Sequence, residues 1–348
     1  MNPKNPCWHR FVPLAVVFFT TFLFSCKKED AVVPPISTAV ISDTGSAAKL
    51  SVSLATSSTG TQTYLASPVI TLNNVSNITI NGKAIVGGNA IAICLNNCHD
   101  IQITNCKLYN STNVGINLYN CYNITVMGNY FTNVSTGVYV DHASKGGIVV
   151  NSNQFLNMKG PSPRGQFIQF NNVNGANNQI NSNKCENILG QSNPEDAISL
   201  YQSYGTATSP ITVCGNQIRG GGPSASGGGI MLGDCGGAYQ KADGNTLVNP
   251  GQYGIAISGG SLNAITNNLV YGVSQSFTNI GLYVASFSGA LISSPTVSGN
   301  RIKFYNSSGA INGGWFASAL VIPGGWNTNN WNANIDASIL PAVLITKH

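Results

Sequence analysis

The chain has 348 residues, enough for one large domain or two small ones. Only 8% of them are charged, against roughly 25% in an average soluble protein, while 43% are hydrophobic, so apolar surface for a core is plentiful. With 44 Asn and 39 Gly, long exposed helices are excluded, and an all-β chain whose turns consume Asn and Gly remains. The formal charge is +5, and removing a leader that carries Lys4 and Arg10 lowers it to +3. That excess is too small to build a nucleic-acid surface.

Residues 1–26 read as an export leader: Lys4 and Arg10, an apolar run from Phe11 to Phe24, then Leu23-Phe24-Ser25-Cys26. The run is shorter than the ~20 apolar residues a membrane span needs. Leu-Phe-Ser-Cys resembles the lipobox of bacterial lipoproteins, which implies acylation of Cys26. The following Lys27-Lys28-Glu29-Asp30 resembles the export tag of surface lipoproteins in Gram-negative glycan degraders, which implies an outer-membrane, cell-surface location. Residues 27–60 are rich in Ser, Thr, Ala and Pro and read as a tether and lead-in segment. Seven Cys follow Cys26; Cys98 and Cys121 occupy like places in successive repeats and could pair, and Cys185 and Cys214 read as buried thiols.

An internal repeat decides the fold. Apolar pairs separated by one residue recur at Ile93, Ile116, Val138, Ile168, Ile198, Ile230, Ile255 and Leu282, in steps of 23, 22, 30, 30, 32, 25 and 27. A second ladder runs through Asn129, Asn153, Asn183, Asn216, Asn245, Asn268 and Asn300. Strands this short cannot bury a face alone but can when stacked. The pattern is that of an all-β, right-handed parallel β-helix, a solenoid of three short strands per coil, spanning residues 61–310, with 311–348 as a C-terminal cap. From about Pro68 to Arg301 the chain resembles the pectate-lyase-like β-helix superfamily, which carries lyases, hydrolases, epimerases, esterases and adhesins.

The three long steps mark coils with inserted loops, at 158–164, 189–195 and 219–224, all on one edge of one sheet. Alternation puts three columns outward: Asn117, Tyr139, Gln169, Ser199, Met231; then Tyr119, Asp141, Asn171, Tyr201, Gly233; and Thr136, Gln166, Asp196, Gly228, Tyr253. These form a candidate sugar groove. A glycosidase needs two carboxylates roughly 5–9.5 Å apart, but strand spacing puts the Cα atoms of Asp141 and Asp196 about 16 Å apart. Asp234 falls one coil from Asp196 and further across. The same scatter argues against a calcium cage, so no cofactor is expected.

A β-eliminating lyase on a uronate glycan needs a carboxylate clamp, a base and a proton donor. Arg164 offers the clamp, His142 or Lys241 the base, and Tyr201 the donor. Tyr139, Asp141, Lys159, Gln169, Asn171, Glu195, Asp196, Tyr204, Arg219 and Asp234 would line the substrate. A lone His at a strand end also reads as a turn residue, and Lys241 as a solvated edge lysine. Asn193-Pro194-Glu195-Asp196 is similar to the acidic-Pro stretch opening an active-site coil in alginate lyases and C5-epimerases, without the epimerase Asp-Pro-His-Asp pattern. The expectation is a monomeric surface lipoprotein cleaving an anionic, alginate-like extracellular polysaccharide. A glycoside hydrolase, or a glycan-binding adhesin without catalysis, stands as the alternative.

Overall fold

The structure, a computed structural model, describes residues 63–161, 165–224 and 226–346. The leader, Cys26, the tether through residue 60 and Arg164 lie outside the described residues. Each coil lays down one strand in each of three sheets, and every strand pair is parallel and joins successive coils. The first sheet runs from Leu65–Ser67 to Arg301–Phe304 in ten strands. The second runs from Ile70–Asn73 to Gly314–Phe316, with two short side strands, and the third has nine strands from Ser76–Asn81 to Thr296–Ser298. Among the described residues there is no α-helix, only two single-turn 3-10 segments. The expected all-β parallel solenoid is what forms.

Period-two alternation supplies the core. Ile93, Ile116, Val138, Ile168, Ile198, Ile230, Ile255 and Leu282 stack inward with no exposed surface. Large rings fit because the residue opening the strand above is small. A Cβ on Gly137 would come within 2.6 Å of Phe155, whose ring stacks on Phe131 at 4.5 Å.

Two corners repeat one backbone solution. Where the chain passes from the second to the third sheet, Asn74, Asn97, Asn120, His142, Asn172 and Gln202 sit at φ between 43° and 56°. The turn between third and first sheets does the same at Asn105, Gly128, Ser152, Ser182, Gly215, Gly244, Asn267 and Gly299. These left-handed positions explain much of the Asn and Gly content, since those residues tolerate positive φ. The Asn ladder is a separate device, one residue after the second corner. Asn183 Nδ2 donates to Val150 O at 2.8 Å and to Asn216 Oδ1 at 3.0 Å, and Asn216 Oδ1 also accepts from Asn183 N. The same geometry runs from Asn129 to Asn300 and closes on Asn329.

Three details differ from the sequence reading. The second sheet continues beyond residue 310, because Gly314–Phe316 pairs with Ile280–Val284. The C-terminal segment is more than an end cap. It doubles back along the first sheet, burying Leu340, Leu344 and Ile345 against Tyr130 and Val248 and bonding Thr346 N to Gln154 Oε1 at 2.7 Å. Cys98 and Cys121 stack in successive coils but keep free thiols, the Cys98 N–H donating to Cys121 Sγ at 3.4 Å.

Candidate functional site

The outward face of the second sheet collects the polar groups. Its strands Val138–Asp141, Ile168–Asn171, Ile198–Tyr204 and Ile230–Ala238 keep register, so Tyr139, Gln169, Ser199 and Met231 form one column. The neighbouring column reads Asp141, Asn171, Tyr201 and then Asp234, not Gly233. The cause is a bulge after Met231, where Gly233 at φ 64° adds a residue to the strand. The expected placing of Asp234 far across the coil is thereby corrected. Its carboxylate accepts from Ser199 Oγ at 3.3 Å, in the middle of the face.

Asp196 opens the strand of the same coil and is 6% exposed. Its Oδ1 accepts two hydrogen bonds, from Gly228 N at 3.1 Å and from the Tyr253 hydroxyl two coils on. That reach depends on Gly228: a Cβ there would lie 2.6 Å from the Tyr253 ring. Burial, then the charge of Glu195, raise the Asp196 carboxyl, and Asp234 adds to the rise; hydrogen bonds from Tyr253 and Gly228 oppose it. The carboxyl is pushed up to about 8, so it is protonated at neutral pH. With Oδ1 accepting twice, Oδ2 is the oxygen that carries the proton. Beyond it the face turns apolar, with Met231, Tyr253, Ala256, Ile280 and Tyr283 packed together.

The other candidates fall as follows. Asn171 Nδ2 donates to the Tyr139 hydroxyl at 2.9 Å. Tyr201, 9% exposed, stands between Asn171 and Asp234. His142 occupies the left-handed corner column at φ 56°, with Nδ1 2.6 Å from Asp141 Oδ1 and its side chain 56% exposed. Glu195 Oε1 accepts from Ser226 Oγ at 3.4 Å. Lys159 Nζ donates to Gln191 O and Asn193 N to Met158 O, so the first two inserted loops pack together.

Three residues lie elsewhere. Lys241 sits on the third sheet, with Nζ 3.3 Å from Asp243 Oδ2, rather than beside Tyr204, which ends a second-sheet strand. Arg219 lies on the first sheet. Its guanidinium binds Glu186 at 3.1 Å and the carbonyls of Pro341 and Ala342, so it anchors the returning C-terminal segment. Its donors face that segment and not the groove. Arg164 lies outside the described residues. Tyr253, which the sequence placed in an outward column without a role, is the residue that orients Asp196. Among the described residues no cluster of three or more His, Cys, Asp or Glu could hold a metal ion.

Comparison with known proteins agrees on architecture. The family model described as right handed beta helix region matches residues 37–172, which gives the coil its expected hand. No curated protein matches the chain. Among solved structures, the pentapeptide repeat protein HetL of the cyanobacterium Nostoc sp. strain PCC 7120, involved in heterocyst differentiation regulation, aligns at 11% identity. That alignment covers 72% of this chain and 94% of HetL with a TM-score of 0.19, too low to bear on fold or function.

Proposed function

We propose that the protein is a carbohydrate-cleaving enzyme that breaks glycosidic bonds of an extracellular polysaccharide on the outward face of its second sheet, with Asp196 as proton donor. The observation that carries this reading is the buried Asp196 carboxyl, oriented through Oδ1 by Tyr253 and Gly228 and kept neutral beside the charges of Glu195 and Asp234. In hydrolysis, Asp196 Oδ2–H protonates the glycosidic oxygen as its bond to the anomeric carbon breaks. A water attacks that carbon and passes its proton to Asp234, which Ser199 holds.

Elimination on a uronate glycan is the second reading, favoured by the Asp141–His142 pair. Donation from Nδ1–H to Asp141 would leave Nε2 to take the C5 proton, and Tyr201 would protonate the departing oxygen as the double bond forms. The resemblance of Leu23-Phe24-Ser25-Cys26 to a lipobox supports a lipid anchor at Cys26 and display on the outer-membrane surface.

The test is incubation of the purified chain with neutral and uronate polysaccharides. New reducing ends without ultraviolet absorbance indicate hydrolysis, and unsaturated products indicate elimination. Asp196→Asn is expected to lower turnover by about 10²–10⁴-fold while substrate binding persists. Unchanged turnover in that variant rules out Asp196 as the donor, and binding without cleavage by the wild type would favour an adhesin.

A further inference from the structure

A recess of about 200 Å³ opens at the corner between the second and third sheets, among coils that precede the Asp196 coil. Its cause is a step in corner length. Asn97 leads to Ile101 and Asn120 to Ile124 in four residues, but His142 reaches the matching Ile148 only after six. Gly146 and Gly147, at φ 76° and 74°, bring the longer corner back to the sheet, and Gly146 O accepts from Asn123 N at 3.1 Å. Ser144 and Lys145 on this corner form one wall of the recess. Stacking between coils sets the others. The rings of His99 and Tyr122 stack at 4.6 Å with 12° between their planes, and Lys145 Nζ lies 4.5 Å from the Tyr122 ring centre. Asn120 Nδ2 donates to Asn97 Oδ1 at 2.7 Å, which leaves Asn97 Nδ2 and Asn120 Oδ1 available to a ligand. Among the described residues no Asp or Glu lines the recess, and none pairs with Lys145. The neighbouring Asp100 is held by His99 Nδ1 at 2.6 Å and by Asn123 Nδ2 at 3.1 Å.

We infer that this recess is a second glycan site, which binds one acidic sugar unit with its carboxylate or sulfate group on Lys145 and its hydroxyls on Asn97, Asn120 and Ser144. The choice of a sugar rests on the glycan-cleaving reading above; the choice of an anion rests on the lining alone. A lysine ammonium is a point charge, so it serves a carboxylate and a sulfate ester alike. Its contact with the Tyr122 ring holds it in place before the ligand arrives, which lowers the ordering cost of binding. A primary amide offers two donors and one acceptor oxygen, which matches ring hydroxyls that both give and take hydrogen bonds. The volume is below the roughly 300–1,000 Å³ of pockets that enclose drug-sized ligands, and suits a single ring. The recess lies on a corner and not on the outward face that holds Asp196, so it would grip one part of a polysaccharide while another part lies at the acid.

The experiment uses the full chain carrying Asp196→Asn, so that affinity is read without cleavage, and calorimetry as the readout. Digalacturonate is the carboxylate probe, sulfated galactobiose the sulfate probe and galactobiose the neutral control. At least one acidic probe is expected to bind more tightly than galactobiose, with an affinity that falls as salt is raised. Whichever acidic probe binds identifies the group that Lys145 meets. Adding Lys145→Gln should weaken that binding about tenfold and erase the preference over galactobiose. Lys145 is exposed, so the melting temperature should stay where it was. An acidic preference that survives Lys145→Gln overturns the proposal, as does galactobiose binding as tightly as both acidic probes, or no binding of either acidic probe. The two claims fail separately. Cleavage by the wild type without acidic binding removes the recess and leaves Asp196 in place, whereas Lys145-dependent binding by a chain that cleaves nothing keeps the recess and removes the cleavage.

Discussion

At the scale of single residues, the site is defined by how Asp196 is held. In the unfolded chain its carboxyl titrates near 4, whereas in the fold it titrates near 8. The folded state therefore keeps a proton that the unfolded state loses, and this contribution to stability is full below about pH 4 and disappears as pH rises through about 8. Activity that needs the protonated acid follows the same limb and falls as pH rises past about 8. Tyr253→Phe keeps the ring in its apolar pocket and deletes one donor to the charged form. The limb should then move to higher pH, with turnover at neutral pH reduced about tenfold through lost orientation. A pH–rate profile checks this, and an unmoved limb would show that Tyr253 does not act on Asp196. The column holding Asp196, Gly228 and Tyr253 is legible in the sequence. The bond across two coils is not, because it depends on a missing Cβ at Gly228 and on a ring leaning along the axis.

At the scale of elements, the steps between repeats place the second-sheet strands from Ile93 to Leu282, because inward Ile, Leu and Val positions are fixed by period two. They fail where Ile198–Tyr204 meets Ile230–Ala238, whose register shifts twice. Gly233 shifts the register by one residue and carries Asp234 into the column of Tyr201, and no spacing rule signals a bulge before the partner strand is known. The Asn ladder shows why the coils stay in register. Asn216→Ala would remove the acceptor of Asn183 N, one of the two acceptors of Asn183 Nδ2 and a donor to Ile180 O in a buried stack. The expected cost is about 2–4 kcal/mol, read as a lower denaturation midpoint with unchanged slope. A change under about 0.5 kcal/mol would mean that water replaces the amide.

At the scale of the whole molecule, the proposed lipid anchor at Leu23-Phe24-Ser25-Cys26 would give the solenoid an N-terminal tether, with the proposed groove on a sheet side rather than at an end. A substrate chain could then run along the axis without meeting the membrane. Cys26→Ala should release the protein from the detergent phase and abolish lipid labelling; retention with wild-type labelling would remove the anchor from this picture. Arg219 shows the limit of charge as a guide at this scale. Its place near an inserted loop suggests a substrate contact, yet its partners Pro341 and Ala342 are more than a hundred residues away, a relation no repeat pattern contains.

The returning C-terminal segment also sets an order in time. Most contacts of a solenoid join neighbouring coils, so coils can close one after another as the chain emerges. Leu340, Leu344 and Ile345 cannot seat until the strands bearing Tyr130 and Val248 are stacked, and Thr346 reaches Gln154 across 192 residues of chain. Residues 340–346 thus fasten coils laid down much earlier. A chain cut short before residue 336 would keep its repeats but leave an apolar seam open along the first sheet, from Tyr130 to Val248.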